Sequence, residues 1–312
     1  MTGGKLPMAE HLYHEPVMVR ETLTLLLTDP DGIYLDGTLG GGGHAAAILS
    51  GLREGKLIGF DRDPDAIAAC RGAFGEELAR GERSRVELVH GSYVLACSRE
   101  DLRGRVQGIL LDLGVSSHQL DEPSRGFSYR FDAPLDLRFG GDSSDEPSAA
   151  ELLASLDEQE IADILYRYGE ERSSRHIARA IVTARRHAPI RTTGQLRAIV
   201  ERCVHPRQRT DALSRVFQAL RIAVNRELEE LETFLSCVPT LLCRGGRIVV
   251  ITYHSLEDRI VKHALREMAG KGQSRQPPLL HVLTPKPLRP QPEEVARNRR
   301  SRSAKLRAAE RI

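Results

Sequence analysis

Ile33-Tyr34-Leu35-Asp36-Gly37-Thr38-Leu39-Gly40-Gly41-Gly42-Gly43-His44 is the stretch on which the fold turns. A short apolar run ends in a carboxylate, a glycine-packed turn follows, and a helix starts over His44 to Leu49. Glycine removes the side chain where a backbone must bend tightly and come close to a ligand. The helix that follows offers unpaired N–H groups. The order Asp36-x-Thr38-x-Gly40-x-Gly42 does not fit the G-x-G-x-x-G dinucleotide fingerprint. An acid at the strand tip would repel a pyrophosphate but would welcome an ammonium or a sulfonium. The pattern therefore points to a pocket for S-adenosylmethionine, although a plain tight turn could use the same glycines.

The next strand supplies context. Lys56-Leu57-Ile58-Gly59-Phe60-Asp61 is again apolar and ends in an acid, followed by Arg62-Asp63-Pro64 and a helical stretch from Asp65. Asp61 stands one βα unit beyond the glycines, near the spacing of about 20 residues at which an acid grips ribose hydroxyls in doubly wound folds. Each charge-assisted hydrogen bond to such a diol contributes roughly 1.5–3 kcal/mol. Asp63 or Asp65 suits the competing role of a helix N-terminal acid.

Two more runs, Val86 to Gly91 and Gly108 to Asp112, have the continuous apolar character of strands buried on both faces. After the first, Tyr93 is placed either to cover an adenine ring or to join the core. After the second comes Leu113-Gly114-Val115-Ser116-Ser117. Asp112 brings a third strand-tip carboxylate to the same sheet edge, where carboxylates repel one another unless positive or donor groups sit among them. S-adenosylmethionine carries a sulfonium, an ammonium, ribose hydroxyls and an adenine amine.

The 312 residues allow one large domain or two smaller ones. Cys70, Cys97, Cys203, Cys237 and Cys243 are odd in number with no C-x-x-C spacing, which predicts reduced, mostly buried thiols with neither metal site nor disulfide frame. The longest early apolar stretch, Leu23 to Leu27, is too short for a signal core or a membrane span, so a cytoplasmic enzyme with no membrane partner is expected. The net charge of +2 hides strong asymmetry. Leu113 to Glu171 holds fourteen acids and four arginines, whereas Arg172 to Arg226 holds thirteen arginines, no lysine, and only Glu201 and Asp211 as acids. Lys286 to Ile312 adds nine bases against three acids. The basic segments suggest a polyanionic partner, and arginine suits phosphate forks and base stacking. The acidic run from Asp142 to Glu146 reads as a solvated loop.

An insertion is visible. The next convincing strand after Asp112 is Gly246 to Tyr253, more than a hundred residues on. Helical patterns fill the gap at Ala149 to Leu156, Glu158 to Tyr168, Ser174 to His187, Thr193 to Cys203, and one long helix from about Asp211 to Ser236, whose apolar residues recur at three- and four-residue intervals. The expected architecture is α/β: a doubly wound, Rossmann-like class I methyltransferase sheet over residues 1–119 and 237–312. An Arg-rich helical substrate-recognition domain, 120–236, is inserted at its carboxyl edge, where ligands of open sheets bind.

The chain resembles the ribosomal RNA small subunit methyltransferase H family, also called MraW. The resemblance rests on Tyr13-His14-Glu15-Pro16-Val17, Asp36-Gly37-Thr38 through Gly42-Gly43-His44, Asp61-Arg62-Asp63-Pro64 and Leu110-Leu111-Asp112-Leu113-Gly114-Val115-Ser116-Ser117. Arg125-Gly126-Phe127-Ser128, Pro134-Leu135-Asp136, Tyr168-Gly169-Glu170-Glu171-Arg172, Phe217-Gln218-Ala219 and His254-Ser255-Leu256-Glu257-Asp258-Arg259 extend it over nearly the whole chain. It implies methyl transfer from S-adenosylmethionine to the exocyclic N4 of one cytidine in the decoding region of 16S ribosomal RNA, within the small ribosomal subunit. It assigns cofactor contacts to Gly42, Gly43, His44, Asp61, Tyr93, Asp112 and Gln119. The family has phenylalanine where Tyr93 stands, commonly proline where His118 stands, and Asn-Pro-Arg where this chain has Asn298-Arg299-Arg300.

The chemistry has its own demands. A cytosine N4 is a poor nucleophile because its lone pair is delocalised into the ring. Transfer therefore needs in-line approach to the sulfonium and acceptors that hold the amino hydrogens, a task suited to Asp112 and the Ser116-Ser117 turn. Positioning can supply most of the acceleration, with effective molarities of roughly 10⁵ M or more, and the target base must leave its stack. His254 can face the nucleotide; Ser255, with Asp258 three positions on, suits a helix cap. His14 and Glu15 either line the pocket or fasten the N-terminal arm. A nicotinamide-dependent dehydrogenase and a non-catalytic RNA-binding factor are the competing functions, and a homodimer is left open.

Overall fold

The computed structural model describes residues 16–271 and 277–312; His14 and Glu15 lie outside them. In chain order, α1 (Val19–Leu26) leads into β1 (Ile33–Asp36), α2 (Gly43–Gly51), β2 (Lys56–Asp61), α3 (Pro64–Ala73), α4 (Gly75–Leu78), β3 (Val86–His90) and β4 (Val106–Asp112). Helices α5 (Ser117–Asp121), α6 (Ala149–Ser155), α7 (Glu158–Gly169), α8 (Ser174–Arg185), α9 (Thr193–Cys203), α10 (Arg209–Asn225) and α11 (Glu227–Leu241) come next. The chain closes with β5 (Leu242–Thr252), α12 (Ser255–Met268), β6 (Leu280–Val282), α13 (Pro292–Arg297) and β7 (Lys305–Arg311). The described residues form two compact units, one running to Gly114 and resuming over Glu230–Ile312, the other Val115–Glu229.

The first unit holds a seven-stranded sheet in the order β3-β2-β1-β4-β5-β7-β6, with β7 antiparallel to both of its neighbours. This is an α/β, Rossmann-like arrangement. Adjacent strand residues bury on opposite faces: Leu35, Ile58, Ile109 and Val250 on one, Tyr34, Leu57, Leu110 and Val249 on the other. Two-sided burial explains why these strands read as unbroken apolar runs. The C-terminal bases are partly structural, because Lys305 and Arg307 on β7 pair with Asp258 at 3.1 and 2.6 Å.

The second unit has its own apolar core, built from residues such as Leu153, Ile161, Leu165, Ile177, Leu196, Val216 and Leu220. Its helix starts are encoded locally: Ser148 with Glu151, Asp157 with Glu160, and Thr192 with Gln195 each close a capping box, worth about 1 kcal/mol apiece. Two residues of the Tyr168–Arg172 motif serve packing here. Gly169 lets α7 approach α10, since a Cβ there would stand 2.6 Å from the Arg215 carbonyl oxygen. Buried Glu171 pairs with Arg215 at 2.7 Å. In the acidic run, exposed Asp142 sits beside Arg138 at 3.2 Å.

Two expectations are corrected. The single helix expected from Asp211 to Ser236 is two, α10 and α11, broken at Arg226, whose φ is 53°. The cause is Asn225: its buried amide donates to the Leu137 carbonyl at 2.7 Å and accepts from Phe139 N at 2.7 Å, turning the chain out of the helix. The cysteines are not all reduced either. Cys97 and Cys237 form a disulfide across 140 residues of chain, while Cys70, Cys203 and Cys243 are free. The segment after β3 lies against α11 in the same unit, a proximity that local spacing does not reveal.

Candidate active site

The sheet order places β1 between β2 and β4, so Asp36, Asp61 and Asp112 end three adjacent strands. Asp36 is in register with Gly59 and Leu110, two residues short of the other two acids. The chain turns back at this level: Leu39 N donates to the Phe60 carbonyl at 3.1 Å, and Gly42 N to the Leu39 carbonyl at 2.8 Å. Gly40 and Gly42 take φ of 49° and 78°, the left-handed region that favours glycine. At Gly43 a Cβ would stand 2.9 Å from Pro16 Cγ. Cys70 lies under the turn, its thiol pushed up to about 12 by burial.

Asp36 is fully buried, with Oδ1 accepting from Thr38 N at 3.1 Å and Oδ2 lacking any partner among the described residues. It supports the turn from beneath. Asp61 reaches into the turn, its Oδ2 accepting from Gly40 N and its Oδ1 from Asp63 N, both at 2.8 Å. Asp63, as expected, caps α3 by accepting from Asp65 N. Burial pushes the carboxyls of Asp36 and Asp61 up to about 6. His44 and the Thr38 N–H oppose this at Asp36; the Asp63 and Gly40 N–H groups oppose it at Asp61.

Tyr93 opens a short 3₁₀ segment capped by Ser92, and its ring meets Phe234 edge-on at 5.0 Å between centroids. Glu230 on α11 ties this segment to the loop after β2, accepting from Ser92 Oγ at 2.8 Å and lying 3.3 Å from the Arg62 guanidinium.

Asp112 is held through both its backbone and its side chain. Its backbone N–H donates to Thr38 Oγ1 at 2.6 Å, and Tyr253 donates its hydroxyl to Oδ1 at 2.8 Å. Buried His44 stands with Nε2 3.5 Å from Oδ2, too long for a good hydrogen bond, and neither ring nitrogen finds a partner of proper geometry among the described residues. Burial alone would lower the His44 pKa, but the Asp112 carboxylate, with Asp36 behind it, carries it above the ordinary value. Orphaned donors and acceptors in such numbers are rare in a folded interior. Two carboxylates beside one imidazole, with a third on a neighbouring strand tip, suit a ligand that brings positive charge and N–H or O–H donors.

The cap of α12 is His254, not Ser255. His254 Nδ1 accepts from Glu257 N at 3.4 Å, Glu257 Oε2 accepts from the His254 and Tyr253 N–H groups, and His254 Nε2 lies 3.1 Å from Glu257 Oε1. The box runs from residue 254 to 257 because Glu257, unlike Asp258, is turned inward and buried. Ser116 and Gln119 belong to the second unit, where they close the capping box of α5 with bonds of 3.1 and 3.0 Å. In the first unit the fold thus gathers Gly42, Gly43, His44, Asp61 and Asp112 with Tyr253. Tyr253 was not anticipated, although its place directly after β5, in the strand beside β4, is a usable signal.

Comparison with known proteins agrees with this geometry. The sequence pattern of the MraW methylase family matches residues 11–312. The chain is 48% identical over 312 residues to the ribosomal RNA small subunit methyltransferase H of Granulibacter bethesdensis, covering 95% of this chain and 91% of the relative. It is 47% identical over 310 residues to the protein of the same name from Gluconobacter oxydans, covering 96% and 93%. Among solved structures, it aligns with an rRNA methylase from Streptococcus thermophilus at 12% identity and a TM-score of 0.37, over 94% of this chain and 93% of that one. A pattern matched from residue 11 to the last residue, with relatives near half identity along their length, shows that the chain belongs to the MraW methylase family.

Proposed function

We propose that this protein transfers a methyl group from S-adenosylmethionine to the exocyclic N4 of one cytidine in the decoding region of 16S ribosomal RNA, acting in the cytoplasm on the small ribosomal subunit. The observation that carries the reading is the crowding of Asp36, Asp61 and Asp112 around the glycine turn and an unsatisfied His44. Membership of a methylase family, together with the spacing Asp36-x-Thr38-x-Gly40-x-Gly42, sets the nicotinamide reading aside. Among the described residues no helix is long and apolar enough to cross a membrane.

The residues fit the cofactor. When bound, S-adenosylmethionine supplies an electrophilic methyl group on a sulfonium. An ionised carboxylate has about four acceptor positions. Asp61 uses one on each oxygen for Gly40 and Asp63, which leaves two for a vicinal diol. Gly42 and Gly43 let the turn pack tightly against Cys70 and Pro16, which a Cβ would approach to 3.0 and 2.9 Å, while Tyr93 offers a ring face for the adenine and His44 and Asp112 supply polar atoms. Gln119 completes the set by resemblance.

At the target amine, Asp112 is the orienting acceptor, with His254 as a further group on the nucleotide and Ser116 assigned there from its place in the sequence alone. Their work is to hold the amino hydrogens so that the nitrogen lone pair points in line with the methyl. The nitrogen grows more acidic as its new bond forms, so no strong base is needed. Preorganised acceptors of this kind need no rearrangement during the reaction. The helical unit Val115–Glu229, rich in arginine, is proposed to carry RNA recognition.

The test is to incubate purified protein with methyl-labelled S-adenosylmethionine and small subunits lacking the modification, then map the label. A single N4-methylated cytidine is expected. Label elsewhere refutes the site, and no label with intact subunit binding favours an assembly factor.

A further inference from the structure

Asp112 is held by two other parts of the first unit, Thr38 on its backbone N–H and Tyr253 on its carboxylate, and neither has a counterpart in the proposed roles above. Tyr253 immediately follows β5, where Ile251 is in register with Asp112 itself, so the sheet sets the two side by side. Its hydroxyl donates to Asp112 Oδ1 at 2.8 Å. The phenol is itself braced. Tyr253 N donates to Glu257 Oε2 at 2.8 Å, and Glu257 is buried as the partner of His254 in the α12 capping box. On the other side, Gly114 takes a φ of 99°, and a Cβ there would come 3.5 Å from the Tyr253 ring. The groups facing the carboxylate are therefore Tyr253 on Oδ1 and His44 near Oδ2, with Asp36 and Asp61 on neighbouring strand tips.

We propose that Tyr253 is a positioning residue for methyl transfer: by occupying Oδ1 of Asp112 it locks the carboxylate in one rotamer and leaves Oδ2 as the oxygen that receives the ligand. The inference rests on the proposed function. Burial and the Asp112 charge hold the phenol itself protonated far above neutrality, so it remains a donor at every working pH. Without it the carboxylate could rotate.

Tyr253→Phe tests this, since it removes one oxygen and keeps the ring. In subunit methylation assays we expect kcat to fall about tenfold and KM for both substrates to stay within about twofold. A purely structural role would instead lower the thermal midpoint and leave the kcat of the folded protein in place. Unchanged kcat in Tyr253→Phe, beside an active wild type, overturns the role of Tyr253 alone. A wild type that labels no cytidine overturns the proposed function, and this inference with it.

Discussion

Asp61 Oδ2 accepts a hydrogen bond from Gly40 N at 2.8 Å, so the tip of β2 secures the glycine turn that follows β1. One side chain thereby shapes the turn and still presents acceptors to a ligand. Replacing it should affect cofactor binding by both routes. Asp61→Ala is expected to weaken S-adenosylmethionine binding about 10- to 150-fold, the equivalent of losing roughly 1.5–3 kcal/mol. Calorimetric titration checks this, and an unchanged Kd removes Asp61 from the ribose.

The site is also a pH device with a definite sign. The carboxyls of Asp36 and Asp61, ordinarily near 3.8, are pushed up to about 6 by burial. Each binds its proton more tightly folded than unfolded, so the cost of burying its charge is in force above about pH 6 and is relieved as pH falls toward 3.8. His44, also raised, acts in the same direction, because its contribution is lost as pH rises through its folded value. Without ligand, Asp36→Asn should therefore melt higher than wild type at about pH 7, with the gap narrowing as pH falls and closing by about pH 4. Thermal melts at both pH values test it; a gap that does not change with pH sinks the assignment.

In the Arg-rich helical unit the arginines are not equivalent. Arg215 and Arg221 pair with Glu171 and Glu227, and Arg185 donates to the Leu153 carbonyl. Arg186, Arg191 and Arg207 are exposed, and their guanidinium groups make no ion pair among the described residues. Replacing all three with Gln should weaken RNA binding and reduce the slope of log K against log salt by about two to three. Binding isotherms at several salt concentrations decide it; an unaltered slope makes this face ordinary solvated surface.

The Cys97–Cys237 bond closes a loop of 140 residues. A cross-link of such span restricts the unfolded chain and typically contributes about 2–4 kcal/mol. A thiol assay on the unfolded, unreduced protein should count three free cysteines, and reductant should lower the denaturant midpoint. Five free thiols would show that the bond does not form.

Much of this was legible in the residues alone. The strands ending at Asp36, Asp61 and Asp112, the glycine turn, and the inserted helices at Ala149–Ser155, Glu158–Gly169 and Thr193–Cys203 lie where the patterns placed them. Each depends on neighbours within a few positions: apolar periodicity, a capping box, a glycine where φ must turn positive. The Cys97–Cys237 bond, the break at Arg226 and the hydroxyl of Tyr253 on Asp112 were not legible. Each joins residues far apart in the chain, and no local spacing records such a meeting.

Sequence by itself thus determined the kind of site, because strand-tip acids and a glycine turn are short-range features written in consecutive residues. Tertiary structure decided the geometry around it: which carboxylate oxygen is taken by Tyr253 and which arginines are spent on internal pairs. Those choices follow from sheet order and packing, which bring donors and acceptors from distant segments within 3 Å of one another.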